Sequence, residues 1–199
     1  MSRTFCVDFG DLCDVTAHRL KLLEQLKDVH PGFKVTLFTI PERTSLDTIR
    51  RAKALGDWVQ LAPHGWRHTR GECLAWTDEE ARVKIEAAYE KGIDAPVFRA
   101  PGWLVDGDVY EACKALNYTV ASHKIFRIPD TNALEYVWNG RYHRRLRGVH
   151  GHLTKVGDDF IGKRLEEDRY AFPENATFVF PQDVSYQITG DYYAPKRSA

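Results

Sequence analysis

The run Thr4-Phe5-Cys6-Val7-Asp8-Phe9-Gly10-Asp11 decides the reading of the fold. Thr4 to Phe9 is a short apolar run and reads as a strand. It ends in two acids, Asp8 and Asp11. A carboxylate inside an apolar run is unfavourable unless it is paired or bound to a metal. The end of this strand is therefore a candidate site. Gly10 is expected to let the chain turn so that both carboxylates point inward. The plainer alternative is that Asp11 or Asp14 only caps the next helix. Asp14 is read as the N-cap of a helix from about Val15 to Val29, where Leu22, Leu23, Leu26 and Val29 keep helical spacing. His30-Pro31-Gly32 stops it.

The same unit recurs along the chain. Phe33 to Thr39 and Trp58 to Ala62 read as strands, separated by a helix capped by Ser45 and closed by Gly56. Thr77-Asp78-Glu79-Glu80 is a capping box that opens a helix to about Lys91. Val97 to Arg99, Tyr118 to Ser122 and Thr177 to Phe180 are further strands, and Asp108 to Leu116 and Asp158 to Tyr170 further helices. Asn132 to Thr154 reads as mostly β or irregular. Repeated strand–helix units imply parallel strands joined by right-handed crossovers. No GxGxxG or GxxxxGK follows the first strand, so a nucleotide site has no support. The expected architecture is α/β, a (β/α) barrel smaller than the eight-fold one because the helices are too few. The whole chain, 1–199, reads as one domain, with a loose tail from about 190.

Composition narrows the function classes. Lys plus Arg and Asp plus Glu both number 28 in the 199 residues, so the formal charge is zero. A dedicated nucleic-acid binder would carry a basic excess; the local cluster Arg141–Arg147 reads as a solvated strand face. No run approaches the ~18 apolar residues of a membrane span, and no signal peptide is visible, so a cytoplasmic protein is expected. Cys6, Cys13, Cys73 and Cys113 form no CxxC motif and read as reduced thiols, with a Cys6–Cys13 pair as the alternative.

Unusual polar residues gather just after the expected strands, where α/β folds build active sites. His64-Gly65-Trp66-Arg67-His68 follows the third strand, and one helical turn would aim both imidazoles at one ion. With a carboxylate from the first strand they make a three-ligand site for Zn²⁺, or for Co²⁺ or Fe²⁺. Arg99-Ala100-Pro101-Gly102-Trp103 follows the fourth. Its guanidinium could hydrogen-bond and orient a catalytic carboxylate. Pro101 and Trp103 are expected to wall a groove suited to a sugar ring or an acyl methyl. His150-Gly151-His152 follows a later strand. One of these histidines is a candidate general acid, and spacing does not choose between them.

The ordered set Asp8…Asp11, His64-x-x-x-His68, Arg99-Ala100-Pro101-Gly102-Trp103 and His150-Gly151-His152 resembles the NodB-homology polysaccharide deacetylases, carbohydrate esterase family 4. The resemblance covers most of the chain. It implies a distorted (β/α) barrel of about seven parallel strands holding one divalent metal ion, zinc first. It also implies hydrolysis of acetyl groups from N- or O-acetylated sugars or glycans. By position Asp8 matches the family's general base, Asp11 its carboxylate ligand, and His64 and His68 its histidine ligands. Arg99 matches the arginine that tethers the base, and His150 or His152 the general acid. In the family the two aspartates are adjacent; here Phe9-Gly10 separates them. A metal-dependent amidase on a small non-sugar substrate and an inactive glycan-binding barrel are the alternative functions.

Overall fold

The computed structural model describes residues 4–122, 135–137, 146–153, 172 and 174–183. The helix expected over Asp158–Tyr170, the basic residues 141–145 and the tail from about 190 lie outside the described residues.

The strands are β1 (Thr4–Leu12), β2 (Val35–Thr39), β3 (Val59–Pro63), β4 (Val97–Phe98), β5 (Thr119–Ser122), β6 (Glu135–Val137), β7 (Leu146–His152) and β8 (Thr177–Val179). Between them run α1 (Leu20–Val29), α2 (Leu46–Lys53), α3 (Asp78–Glu90) and α4 (Gly107–Ala115). All of the registered strand pairs are parallel. One sheet runs β3-β2-β1-β7, with β8 also on β1, and a second runs β4-β5-β6. A single parallel bridge, His64 to Arg99, joins β3 to the strand that leads out of β4. Two of the candidate site residues thus stand where the two sheets meet, beside the Ala95 N–H to Leu61 O and Arg99 N–H to Pro63 O hydrogen bonds.

Strand alternation sorts β1 onto two faces. Phe5, Val7 and Phe9 pack with Leu20, Leu23 and Leu26 of α1 in the largest core cluster. Cys6 packs instead with Phe38, Ala62, Val97 and Ala121, drawn from β2 to β5. Apart from Ala95, this cluster is drawn from strands, with no helix contributing to it. On the far side Ala81 and Ile85 of α3 and Val109 and Tyr110 of α4 cover Phe98 and Val120. The interior faces are nearly continuous in apolar residues, as strands covered on both sides require.

The caps behave as the local sequence dictates, with one exception. Ser45 accepts from the Thr48 backbone N–H at the start of α2, and Thr77 and Glu80 complete the capping box of α3. The helix expected from Val15 begins only at Leu20, after a 3-10 turn over Ala17–Arg19. Asp14 is not its cap. The Asp14 carboxylate accepts from the Ser45 N–H and hydroxyl (both 2.8 Å) and the Thr48 hydroxyl (2.7 Å). It thus ties the end of β1 to the N-terminus of α2. All four cysteines are buried and none forms a disulfide, and burial pushes the thiols of Cys73 and Cys113 well up. Neither supplies a thiolate at neutral pH. Among the described residues, no helix is long and apolar enough to cross a membrane.

Candidate metal and catalytic site

Asp8 lies on the same face of β1 as Cys6 and Gly10, one layer above the inner cluster. Its side chain is wholly buried. Arg99, also buried, reaches it with two N–H donors: Nη1 to Oδ1 at 2.6 Å and Nη2 to Oδ2 at 2.9 Å. Such fork-to-fork pairing fixes direction as well as charge. The guanidinium is itself sandwiched, 3.7 Å from the ring centre of Phe38 and 4.1 Å from that of Trp103. The flat, weakly hydrated cation of arginine suits this stacking where lysine would not.

The turn at the end of β1 differs from the one expected. Gly10 has no positive φ; Asp11 takes it, at +68°. The Thr16 hydroxyl donates to the Asp11 carbonyl at 2.8 Å, and the register with β2 shifts between Phe9 and Leu12. What Gly10 contributes is space. A Cβ there would sit 3.2 Å from His152 Nδ1 and 3.5 Å from His64 Nε2.

His64 and His68 are not on a helical turn. His64 extends β3, its N–H donating to Thr39 O at 2.8 Å. The chain then reverses through Gly65 (φ +59°) and reaches His68 at φ +63°. A Cβ on Gly65 would collide with Glu72 Oε1 and meet Pro101 Cδ at 2.6 Å, so only glycine fits. Pro101 is buried against this turn. His64 Nδ1 lies 3.1 Å from the Arg99 carbonyl. A carbonyl only accepts, so Nδ1 carries the proton and Nε2 presents its lone pair. Burial, then the neighbouring His68 and Arg99, push the His64 imidazole down to about 3, against the pull of Asp11.

Asp11 Oδ1 is 2.8 Å from His68 Nε2 and 3.6 Å from His64 Nε2. One ligand atom from each of the three lies within 4.8 Å of the others. Two imidazoles and a carboxylate, with the His64 tautomer already set and room beside Gly10, fit a divalent cation. The other carboxylate oxygen, Oδ2, accepts from His152 Nδ1 at 2.9 Å. The His152 side chain is 47% exposed, against 4% for Asp11. His150 stands in register with Asp8, and Gly151 with Phe9; the side chain of His150 lies outside the described residues.

Asp8, Arg99, Asp11, His64, His68 and His152 are thus brought together. Trp103 caps the group, half-buried, at φ +63°. Sequence reasoning passed over Phe38 and Glu72. Alternation along β2 could have placed Phe38 on the face of Thr36, which registers with Asp8. Nothing local marks Glu72, an acid in a polar loop.

No protein-family model and no curated protein matches the sequence. Solved structures do. The chain is similar to the Xyl-CE4 domain of a multidomain xylanase from the hindgut metagenome of Trinervitermes trinervoides. The identity is 15%, the coverage 96% of this chain and 92% of that one, and the TM-score 0.63. It is similar to a family 4 acetyl xylan esterase from Clostridium thermocellum, solved with a cobalt ion, at 15% identity, 94% and 92% coverage and TM-score 0.61. It is also similar to a CE4 family pseudoenzyme from Bacillus anthracis, at 11% identity, 89% and 64% coverage and TM-score 0.60. The fold is therefore the NodB-like distorted (β/α) barrel of the family 4 carbohydrate esterases.

Proposed function

We propose that the protein is a metal-dependent hydrolase that removes acetyl groups from acetylated sugars or glycans. One observation carries the reading: Asp11, His64 and His68 converge beside a buried Asp8–Arg99 pair at one end of the barrel strands. Asp11, His64 and His68 would hold one divalent ion, zinc or cobalt by their donor set. When bound, such an ion acidifies water and polarises a carbonyl.

The remaining steps belong to the chain. Asp8 is the general base that takes the proton of the attacking water; two N–H···O bonds do not exhaust a carboxylate's acceptor sites. Arg99 aims it, and Phe38 and Trp103 hold Arg99 flat. His152 is the general acid. Its Nδ1–H on Asp11 fixes the ring, which assigns proton delivery to Nε2. The C–N or C–O bond to the acetyl carbon breaks, the leaving amine or alkoxide takes that proton, and acetate departs. His150 is the alternative donor, two residues earlier on β7. Trp103 and Pro101 form the wall on the acyl side.

The test is acetate release from acetylated xylan and from N-acetylated chito-oligosaccharides, with Zn²⁺ or Co²⁺ supplied. Wild type should release acetate. Asp8→Asn should lose about 10²–10⁴ in rate yet keep the metal; His64→Ala should lose both. The second reading is a silent glycan-binding barrel, favoured by the complete burial of Asp8 and by the pseudoenzyme among the structural neighbours. Glycan binding with no acetate released from glycans or small N-acyl amines would establish it. Release from the small amines alone would make the protein an amidase.

A further inference from the structure

Three consecutive backbone N–H groups in the loop between the histidines end on one carboxylate. Trp66 N and His68 N donate to Glu72 Oε1 at 2.9 and 3.0 Å, and Arg67 N donates to Oε2 at 3.0 Å. Successive amides turned to one point make an anion-binding concavity; here the chain's own side chain fills it. Glu72 is well anchored. Its N–H donates to Thr69 O at 3.0 Å, and its neighbour Cys73 is wholly buried in the α3–α4 core. The loop it grips runs from Gly65, pinned to the Arg99 carbonyl by a 2.9 Å hydrogen bond, to His68. No regular element includes His68. A non-glycine residue at φ +63° persists only where its surroundings over-determine it. The carboxylate of Glu72 accepts from the N–H of His68 itself and from those of the two residues before it.

We propose that Glu72 is the positioning residue of this site: by clasping residues 66–68 it holds the His68 imidazole against Asp11 and His64 and so sets the affinity for the divalent cation. This rests on the metal-site reading above. Groups that orient metal ligands are typically worth 10–100-fold in affinity.

The test is Co²⁺ binding by calorimetry and by the visible absorption of the bound ion, for wild type, Glu72→Ala, Glu72→Gln and Thr77→Ala. Glu72→Ala should bind Co²⁺ at least about tenfold more weakly and shift the absorption bands. Glu72→Gln should fall between, because its amide oxygen still accepts from Trp66 and His68 while its NH₂ faces the Arg67 N–H. Thr77→Ala, which loosens the N-cap of α3, should bind Co²⁺ as wild type does. Should Glu72→Ala fail to fold, Glu72→Gln decides. Wild-type affinity and spectrum in the folded Glu72 variants would overturn the proposal and leave the metal site standing. No Co²⁺ uptake by wild type would remove both.

Discussion

Asp8 and Arg99, 91 residues apart, meet through two hydrogen bonds of 2.6 and 2.9 Å, and neither side chain reaches solvent. Removing one partner strands a buried charge, which typically costs about 3–5 kcal/mol. Arg99→Met should therefore unfold at a midpoint roughly 6–20 °C lower, at about 2–4 °C per kcal/mol for a chain of this size. Adding Asp8→Asn should recover part of that loss, because the orphan is then neutral. Thermal scans of the two variants check both statements; equal midpoints would mean that the pair is not coupled.

Gly10→Ala separates space from backbone freedom. Gly10 has an ordinary φ, so the fold should tolerate alanine with a small change in melting temperature. The added methyl sits 3.2 Å from His152 Nδ1 and 3.5 Å from His64 Nε2. Metal affinity should fall roughly tenfold or more, as for other disturbances next to a ligand set, and acetate release with it. Titration with Zn²⁺ beside a thermal scan reads the two effects apart.

Asp14 gives the protein an acid-sensitive joint. Burial raises its pKa, but the hydrogen bonds from Ser45 and Thr48 outweigh that and leave it below the ordinary 3.8. A carboxylate depressed in the folded state contributes stability above its unfolded pKa and loses it as pH falls through the folded one. Wild type should thus lead Asp14→Ala in urea midpoint at pH 7, and the gap should close below pH 3.8. A gap that persists there would assign the effect to packing.

Thr77→Ala removes the hydroxyl half of the α3 capping box, whose Glu80 N–H donates to Thr77 Oγ1 at 3.2 Å. The expected loss is about 1 kcal/mol, read as a shift in denaturant midpoint with the slope unchanged. Acetate release should be untouched, since the cap lies outside the site.

What the sequence made legible was local. Strand runs that carry Asp8 and Arg99 near their ends or lead into His64, and caps at Ser45 and Thr77, depend on residues a few positions apart. The misses turn on partners that spacing along the chain does not name, some near and some far. Asp14 looked like the cap of the helix after it, and its hydrogen bonds go to Ser45 and Thr48, more than 30 residues on. Gly10 looked like the residue that turns the chain, but the Thr16 hydroxyl stabilises that turn at Asp11. His64 and His68 have the spacing of a helical turn, and the loop is instead shaped by Gly65, Pro101 and Glu72. Phe38 stacks on a guanidinium that enters from another strand.

Among the described residues, four non-glycine residues have positive φ, and three of them are Asp11, His68 and Trp103. Left-handed backbone with a β-carbon typically costs about 1–3 kcal/mol at a functional site. Selection for a sturdier barrel alone would therefore favour glycine at all three positions. Each such step would erase a residue of the proposed metal site or the ring that covers Arg99. Stability and chemistry pull this chain in opposite directions at these positions, and thermostabilising libraries should recover glycine there only in clones that have stopped binding metal or releasing acetate.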